Sequence, residues 1–322
     1  MPISSAWEAL RGDPLPWLLD ERHPNLHWRA LTELVGRPAA SPAVERARGG
    51  ANAVEPVAAL LEALLPDGSW ADGAGWWDAA GGHGWRLLGA VQWGADPADP
   101  RLQAAASRLL AEAPGEGGFA AREGGSPAPW LTARVLQALA GLGFGRHARF
   151  QEALAWLEEA APKAQDGGWA REGAGDGAGP CRITPVALLA ALAACGDDRR
   201  HLLRDRATRG VVEVLAYGDA ALDALGHPCL ARTDLAEALW VLARSGAEVQ
   251  PVMVPALARL QERQLDGGRW PRDLEVPAEL ALGKWLPAVG EPSRWLTLKS
   301  AVAILHYAVP AGLPRMFPKK PD

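Results

Sequence analysis

The sequence is poor in the features that assign a chain quickly. Three Cys (Cys181, Cys195 and Cys229) stand far apart with no Cys-x-x-Cys spacing, which excludes a disulfide framework and points to a reducing cytoplasm. No apolar run reaches 18 residues, so no membrane-spanning helix is expected. Residues 1–22 lack the basic stretch and apolar run of a secretory signal. The phosphate-cradling Gly-x-x-x-x-Gly-Lys-Ser/Thr motif is missing. So is a basic excess: the formal charge is −5 over 322 residues, which argues against a nucleic-acid partner. Phe (4) and Tyr (2) are scarce, whereas Trp occurs 15 times, and the placement of those indoles organises the chain.

What is present is a period. Pro66-Asp67-Gly68-Ser69-Trp70, Glu116-Gly117-Gly118-Phe119, Asp166-Gly167-Gly168-Trp169 and Asp266-Gly267-Gly268-Arg269-Trp270 place rings at 70, 119, 169 and 270. A degenerate copy at Ala216-Tyr217-Gly218-Asp219 fills the gap, and a weaker one falls near Trp17. A spacing of about fifty residues signals stacked supersecondary units. Before each signature lies a helical pattern with one apolar stripe, over 54–65, 101–113, 149–160, 202–215 and 254–264. After each lies a far more apolar one, over 85–93, 130–142, 183–195, 234–245 and 295–307. Wet and dry helices in alternation predict an inner ring inside an outer ring. The glycines turn the chain and the rings wedge between hairpins. Gly94, Gly143, Gly196 and Gly246 end the dry helices, and Pro129, Pro180, Pro228 and Ser293 precede them.

At these turns the sequence resembles the squalene–hopene cyclase and protein prenyltransferase superfamily. The match is fullest at Gln264-Leu265-Asp266-Gly267-Gly268-Arg269-Trp270. More narrowly, the chain is similar to short bacterial single-toroid proteins of prenyltransferase/squalene-oxidase-repeat type. The similar segments are Trp17-Leu18-Leu19, Pro24-Asn25-Leu26-His27-Trp28-Arg29 and Gly290-Glu291-Pro292-Ser293-Arg294-Trp295-Leu296-Thr297-Leu298. The resemblance spans roughly 50–310 and implies an α/α toroid around an apolar cavity that takes an isoprenoid. It does not carry over catalytic residues. The Asp-x-Asp-Asp acid motif of the triterpene cyclases is absent. Of the prenyltransferase zinc set there is only His227-Pro228-Cys229 with Asp223 upstream, a spacing poor for a tetrahedral site. No metal or cofactor is assigned.

In a closed ring the starts of the dry helices converge on one mouth, and an Arg lies in or near each. Arg29, Arg86, Arg134, Arg182, Arg232 and Arg294 are candidates to clamp a diphosphate or carboxylate. Trp28, Trp85, Trp130 and Trp295 are candidates to wall an apolar pocket. The competing reading pairs each Arg with an acid of a neighbouring repeat and puts each Trp in the core. Asp234 and Glu237 share a face of an otherwise apolar helix and are the candidate catalytic acids. Alternatively, Asp234 caps that helix and Glu237 completes a capping box. Asp72 and Asp78, which flank Trp76-Trp77, are further acids. The long stretches 71–84, 171–180 and 271–291 are expected to carry ligand specificity.

The expectation is therefore an all-α protein, an α/α toroid of about six helical hairpins. Residues 1–49 form a helical cap or first hairpin, 50–310 the repeats and 311–322 a tail, all in one domain. It acts on or binds a hydrophobic, isoprenoid-type small molecule as a cyclase-like or prenyl-transfer-like protein. Two other classes stay open. One is a noncatalytic toroid that binds a lipid or a protein. The other is a carbohydrate-active α/α barrel, which needs two carboxylates across a cleft.

Overall fold

The computed structural model describes residues 4–71, 75–78, 82–160, 169, 181–196, 200–218, 220–275 and 283–314. All regular structure among them is helical apart from isolated bridges. The dry helices are α3 (Pro24–Glu33), α6 (His83–Gln92), α8 (Pro129–Gly141), α10 (Ile183–Cys195), α13 (Leu235–Arg244) and α15 (Arg294–Tyr307). The wetter ones are α4 (Pro42–Gly50), α5 (Val57–Glu62), α7 (Pro100–Glu112), α9 (Ala148–Ala160), α11 (His201–Tyr217) and α14 (Val254–Glu262). Short pieces α1 (Ser4–Trp7), α2 (Leu15–Leu18) and α12 (Ala220–Asp223) complete the set. No helix among the described residues is long and apolar enough to cross a membrane.

Burial follows the sequence pattern closely. Leu131 to Ala140 of α8, Thr184 to Leu192 of α10 and Leu235 to Ala243 of α13 are buried without a break. On α7 burial is a stripe of Leu102, Ala105, Ala106, Leu109 and Leu110, the i, i+3, i+4 face of a helix with water on its other side. Packing runs in order through α6, α8, α10, α13, α15 and α3. The Asn25 amide of α3 then donates to the Trp93 carbonyl at the end of α6 (3.0 Å), and the Trp28 indole to the Gly94 carbonyl (2.8 Å). Gly94 has φ +69°, and a side chain there would collide with the Asn25 carbonyl and the Trp295 ring, so this contact between α3 and the end of α6 requires glycine.

The aromatic turns act as hardware. Trp70, Phe119, Trp169 and Trp270 are all 2% exposed or less. Phe119, Trp169 and Trp270 each accept, on their carbonyl, the N–H just before the next dry helix: from Ala128 (3.0 Å), Cys181 (3.0 Å) and Ser293 (2.9 Å). The indoles of Trp70 and Trp270 donate to carbonyls ten residues back, Leu60 (3.2 Å) and Leu260 (2.7 Å). Gly68 (φ +82°) lies so close to α7 that an added Cβ would sit 2.6 Å from the Ala104 carbonyl carbon. The amino-terminal segment docks on the last turn, where Gln264 accepts from the Arg11 N–H (2.9 Å) and donates to the Ala9 carbonyl (3.2 Å).

Three expectations are corrected. The degenerate copy at 216–219 is not a turn of this type, because α11 continues through Tyr217, which is 61% exposed, and ends on Gly218 in left-handed conformation; Asp219 lies outside the described residues. Trp17 belongs to α2, with the guanidinium groups of Arg269 and Arg294 over its ring at 4.4 and 4.5 Å. Pro228 does not open α13; Asp234 caps that helix. Pro180 and the 166–168 part of the third signature lie outside the described residues. We predict that Trp270→Ala costs about 3–5 kcal/mol, whereas Tyr217→Ala stays within about 0.5 kcal/mol, as read from denaturant midpoints. Equal costs would remove the distinction between these two copies.

Candidate functional site

The long connection between α12 and α13 turns inward. Cys229 is fully buried, and both its backbone groups bond to one side chain of α6: its N–H donates to Gln92 Oε1 (2.6 Å) and its carbonyl accepts from Gln92 Nε2 (2.7 Å). The thiol donates to the Gly226 carbonyl (3.2 Å). The Arg232 carbonyl accepts from Arg134 of α8. At the base, Leu225 and Asp273 exchange hydrogen bonds, the Leu225 N–H donating to Asp273 Oδ2 (2.7 Å) and the Asp273 N–H to the Leu225 carbonyl (2.9 Å). Residues 224–234 thus bring polar groups to the middle of a structure whose periodicity predicts an apolar lumen.

There the two candidate acids take different roles. Glu237 is fully buried and accepts from Arg134 Nη1 (2.9 Å), Arg134 Nη2 (3.1 Å) and the Thr233 hydroxyl (2.8 Å). Burial opposes its charge, but Arg134 and Lys299 prevail and hold its pKa at about 2. Three donated hydrogen bonds favour its carboxylate form. Asp234 caps α13: Oδ1 accepts from the Glu237 N–H (2.8 Å) and Oδ2 from the Gly226 N–H (2.8 Å). Burial pushes the Asp234 carboxyl up from its ordinary value and the Cys229 thiol well up from its own. Only half of the capping box forms, since Glu237 turns to Arg134.

A second cluster gathers around Trp240 of α13. Its indole donates to Glu33 Oε2 (2.8 Å), the last residue of α3. Three cations lie over its ring: Arg244 at 4.8 Å, Lys299 at 5.3 Å and Arg29 at 5.7 Å. Glu33 pairs with Arg29 (2.7 Å) and more distantly with Arg244 (3.9 Å). Burial raises the proton affinity of Glu33, yet Arg29 and Arg244 pull its pKa below the ordinary carboxyl value. The side chains of Arg29 and Arg244 are 20% and 28% exposed, while Lys299 is 4% exposed. The Lys299 ammonium acts on Glu33, Asp234 and Glu237 together and so links both clusters. Five cations (Arg29, Arg134, Arg232, Arg244 and Lys299) face three carboxylates.

The remaining sequence candidates divide by place. Trp28 and Arg29 join the Trp240 cluster, the Arg29 guanidinium lying 5.1 Å from the Trp28 ring. Trp295 stacks on His227 at 5.1 Å, and Trp93 sets its edge on the same imidazole at 5.0 Å. Trp85 and Trp130 stack at 6.0 Å, with Trp77 edge-on to Trp85 at 5.3 Å, in a separate aromatic group; Arg86 lies over Trp70 at 6.0 Å. Arg182 immediately precedes α10 and is half-buried. Arg232 donates to the Ala224 carbonyl (2.7 Å) and lies 3.7 Å from Asp234. Arg294 bonds the Trp17 carbonyl and Asp20 (3.2 Å). Of the six arginines, Arg29, Arg134, Arg232 and Arg294 have acidic partners.

Asp223 pairs with Arg259 (3.1 Å) rather than with His227 and Cys229. No group of three His, Cys, Asp or Glu side chains among the described residues is arranged to hold a metal. Asp78 accepts from the Gly75 N–H (2.6 Å) in a local turn; Asp72 and 171–180 lie outside the described residues. Sequence reasoning missed Gln92, Glu33, Trp240, Arg244 and Lys299. A signal for the last existed: the chain has 5 Lys against 28 Arg, and Lys299 stands alone on an apolar helix. No protein-family model matches this chain, and no curated protein resembles it significantly.

Glu237 generates a pH prediction. Its pKa falls from an ordinary 4.5 to about 2 on folding. Its stabilisation is therefore full above the unfolded value and is lost as pH falls from 4.5 towards 2, on the order of 3 kcal/mol. Glu237→Gln should cost about 3–5 kcal/mol at neutral pH by leaving Arg134 charged and unpaired, and should flatten the stability curve across that acid window. An unchanged acid limb in urea titrations would show that the carboxylate is not held this way.

Proposed function

We propose that this chain is an α/α toroid of the squalene–hopene cyclase and protein prenyltransferase type that binds an anionic amphiphile, an isoprenoid diphosphate by its resemblance to that superfamily. Support for the ring comes from the succession of dry helices, from the return of α3 to the end of α6 and from the docking of the amino-terminal segment on the last turn. The observation that carries the ligand class is the Trp240 cluster, where three cations surround one indole and two of them pair with one carboxylate, Glu33. Such a set takes an anion against its positive excess and an apolar group against its rings.

The reading favours binding over acid-initiated cyclisation. One of the two candidate acids, Glu237, is ionised down to a pKa of about 2, which leaves Asp234 as the only one whose carboxyl burial inclines towards the protonated form. Three thiols, none in a disulfide, fit a cytoplasmic setting. The test is calorimetry with geranylgeranyl diphosphate and geranylgeraniol. The diphosphate should bind and the alcohol should bind at least about tenfold more weakly, the equivalent of one lost charge-assisted contact. Arg244→Ala should weaken the diphosphate by a similar factor. Equal binding of both, or of neither, would sink the reading.

A further inference from the structure

Around the stacked rings of His227 and Trp295, polar groups lack hydrogen-bond partners among the described residues. His227 is 1% exposed; among the described residues neither ring nitrogen makes a hydrogen bond of ordinary geometry, and the Gln92 backbone acts on the ring only as a weak partner. The indole N–H of Trp93, 5% exposed and edge-on to that ring, has none either. Lys299 lies one helical turn beyond Trp295, the residue on which His227 stacks. Its ammonium has no carboxylate within ion-pair distance and no hydrogen bond among the described residues. Buried polar groups are nearly always satisfied, so each of these asks for an explanation. Here they share a chemistry. Trp93 is a donor only and Lys299 a donor only, and a neutral imidazole offers one N–H. The donors outnumber the single acceptor nitrogen of the imidazole, which calls for a ligand rich in acceptor oxygens.

We propose that Lys299, His227 and Trp93 form a buried pocket for an oxyanion, the terminal phosphate or carboxylate of a ligand whose body lies against Trp240. Only the placing of that body rests on the reading given under Proposed function; the oxyanion pocket stands on its own groups. Burial first, and then Lys299 and Arg29, push the His227 pKa well below its ordinary value. The imidazole is then neutral at physiological pH, and Lys299 supplies the charge. The carboxylates that act electrostatically with Lys299, namely Asp234, Glu237 and Glu33, are occupied elsewhere: by the α13 cap, by Arg134, and by Arg29 with the Trp240 indole. The ammonium therefore has its hydrogen-bonding capacity in hand for an incoming oxygen.

The experiment is titration calorimetry with inorganic phosphate, inorganic pyrophosphate and acetate on the full chain and on Lys299→Met, His227→Phe and Arg244→Ala. Phosphate or pyrophosphate should bind the parent protein. Lys299→Met should lose about tenfold or more in affinity, and His227→Phe several-fold. Preference for acetate over phosphate would identify a carboxylate ligand by the same chemistry. Retained binding of these anions by both Lys299→Met and His227→Phe, or no binding by the parent, overturns the proposal. The two readings fail separately. Lys299-dependent phosphate binding without geranylgeranyl diphosphate binding keeps the pocket and removes the isoprenoid. Geranylgeranyl diphosphate binding that needs Arg244 but not Lys299 does the reverse. If the variants do not fold, the His227 ring C–H resonances of the parent protein decide. They must shift on phosphate addition, and stationary signals count against the pocket.

Discussion

The centre of this molecule depends on the ion pair between Arg134 and Glu237. Both side chains have no exposure at all, and they join α8 to α13. The guanidinium also takes the Gln137 side chain (2.7 Å) and the Arg232 carbonyl. That carbonyl belongs to the inward segment 224–234, so a single side chain fixes two helices and the connection between them. A buried pair of this kind is weak support for net stability, since desolvation offsets much of the attraction. Its value is geometric. α8 and α13 both pack on α10, where faces rich in Leu and Ala could shift at small cost; a bidentate pair between them accepts one geometry only.

That constraint determines what the interior can be. With Arg134 facing inward, Glu237 must follow, and Thr233 must turn its hydroxyl to the remaining oxygen. Asp234 then caps α13 and holds Gly226, and Gln92 closes the other side by binding both backbone groups of Cys229. Apolar helices alone would enclose a greasy interior. This chain threads its own backbone inward and satisfies it with side chains from α6 and α8. Backbone N–H and C=O groups brought so deep require such partners, and the glutamine and arginine supply them.

Much of the helical layer was legible in the sequence, because amphipathic periodicity reports directly which face of a helix is wet. The predicted span 183–195 and α10 coincide, and the stripe on 101–113 reappears in the burial of α7. The aromatic turns were legible for a similar local reason: glycine and a ring within five residues define a turn and its wedge. Tyr217 misled because spacing alone admitted it, while the α11 pattern runs on through it to Gly218. The interior was much less legible. Asp234 as a cap is a local motif and was foreseen as an alternative, but the partner of Glu237 lies 103 residues away. Periodicity carries no information about which buried charge meets which. Glu33, Trp240, Arg244 and Lys299 come from three helices, and only the i, i+4 spacings Arg29/Glu33 and Trp240/Arg244 hint at pairs.

Charge distribution gives the interior its chemical character. The chain as a whole is acidic, at −5, yet its inner cluster has five cations to three carboxylates. Long-range attraction would not bring an anion to this protein; any preference for one is made locally, where water is excluded and opposite charges attract strongly. The Arg244 side chain, 28% exposed, relieves its part of the excess by reaching solvent. Lys299 reaches much less of it, being 4% exposed, and an ammonium is more strongly hydrated than a guanidinium. In a sequence that chooses Arg over Lys by 28 to 5, the least exposed of the three side chains around the Trp240 ring is a lysine. A compact point charge fits where a planar fork would need several acceptors at once.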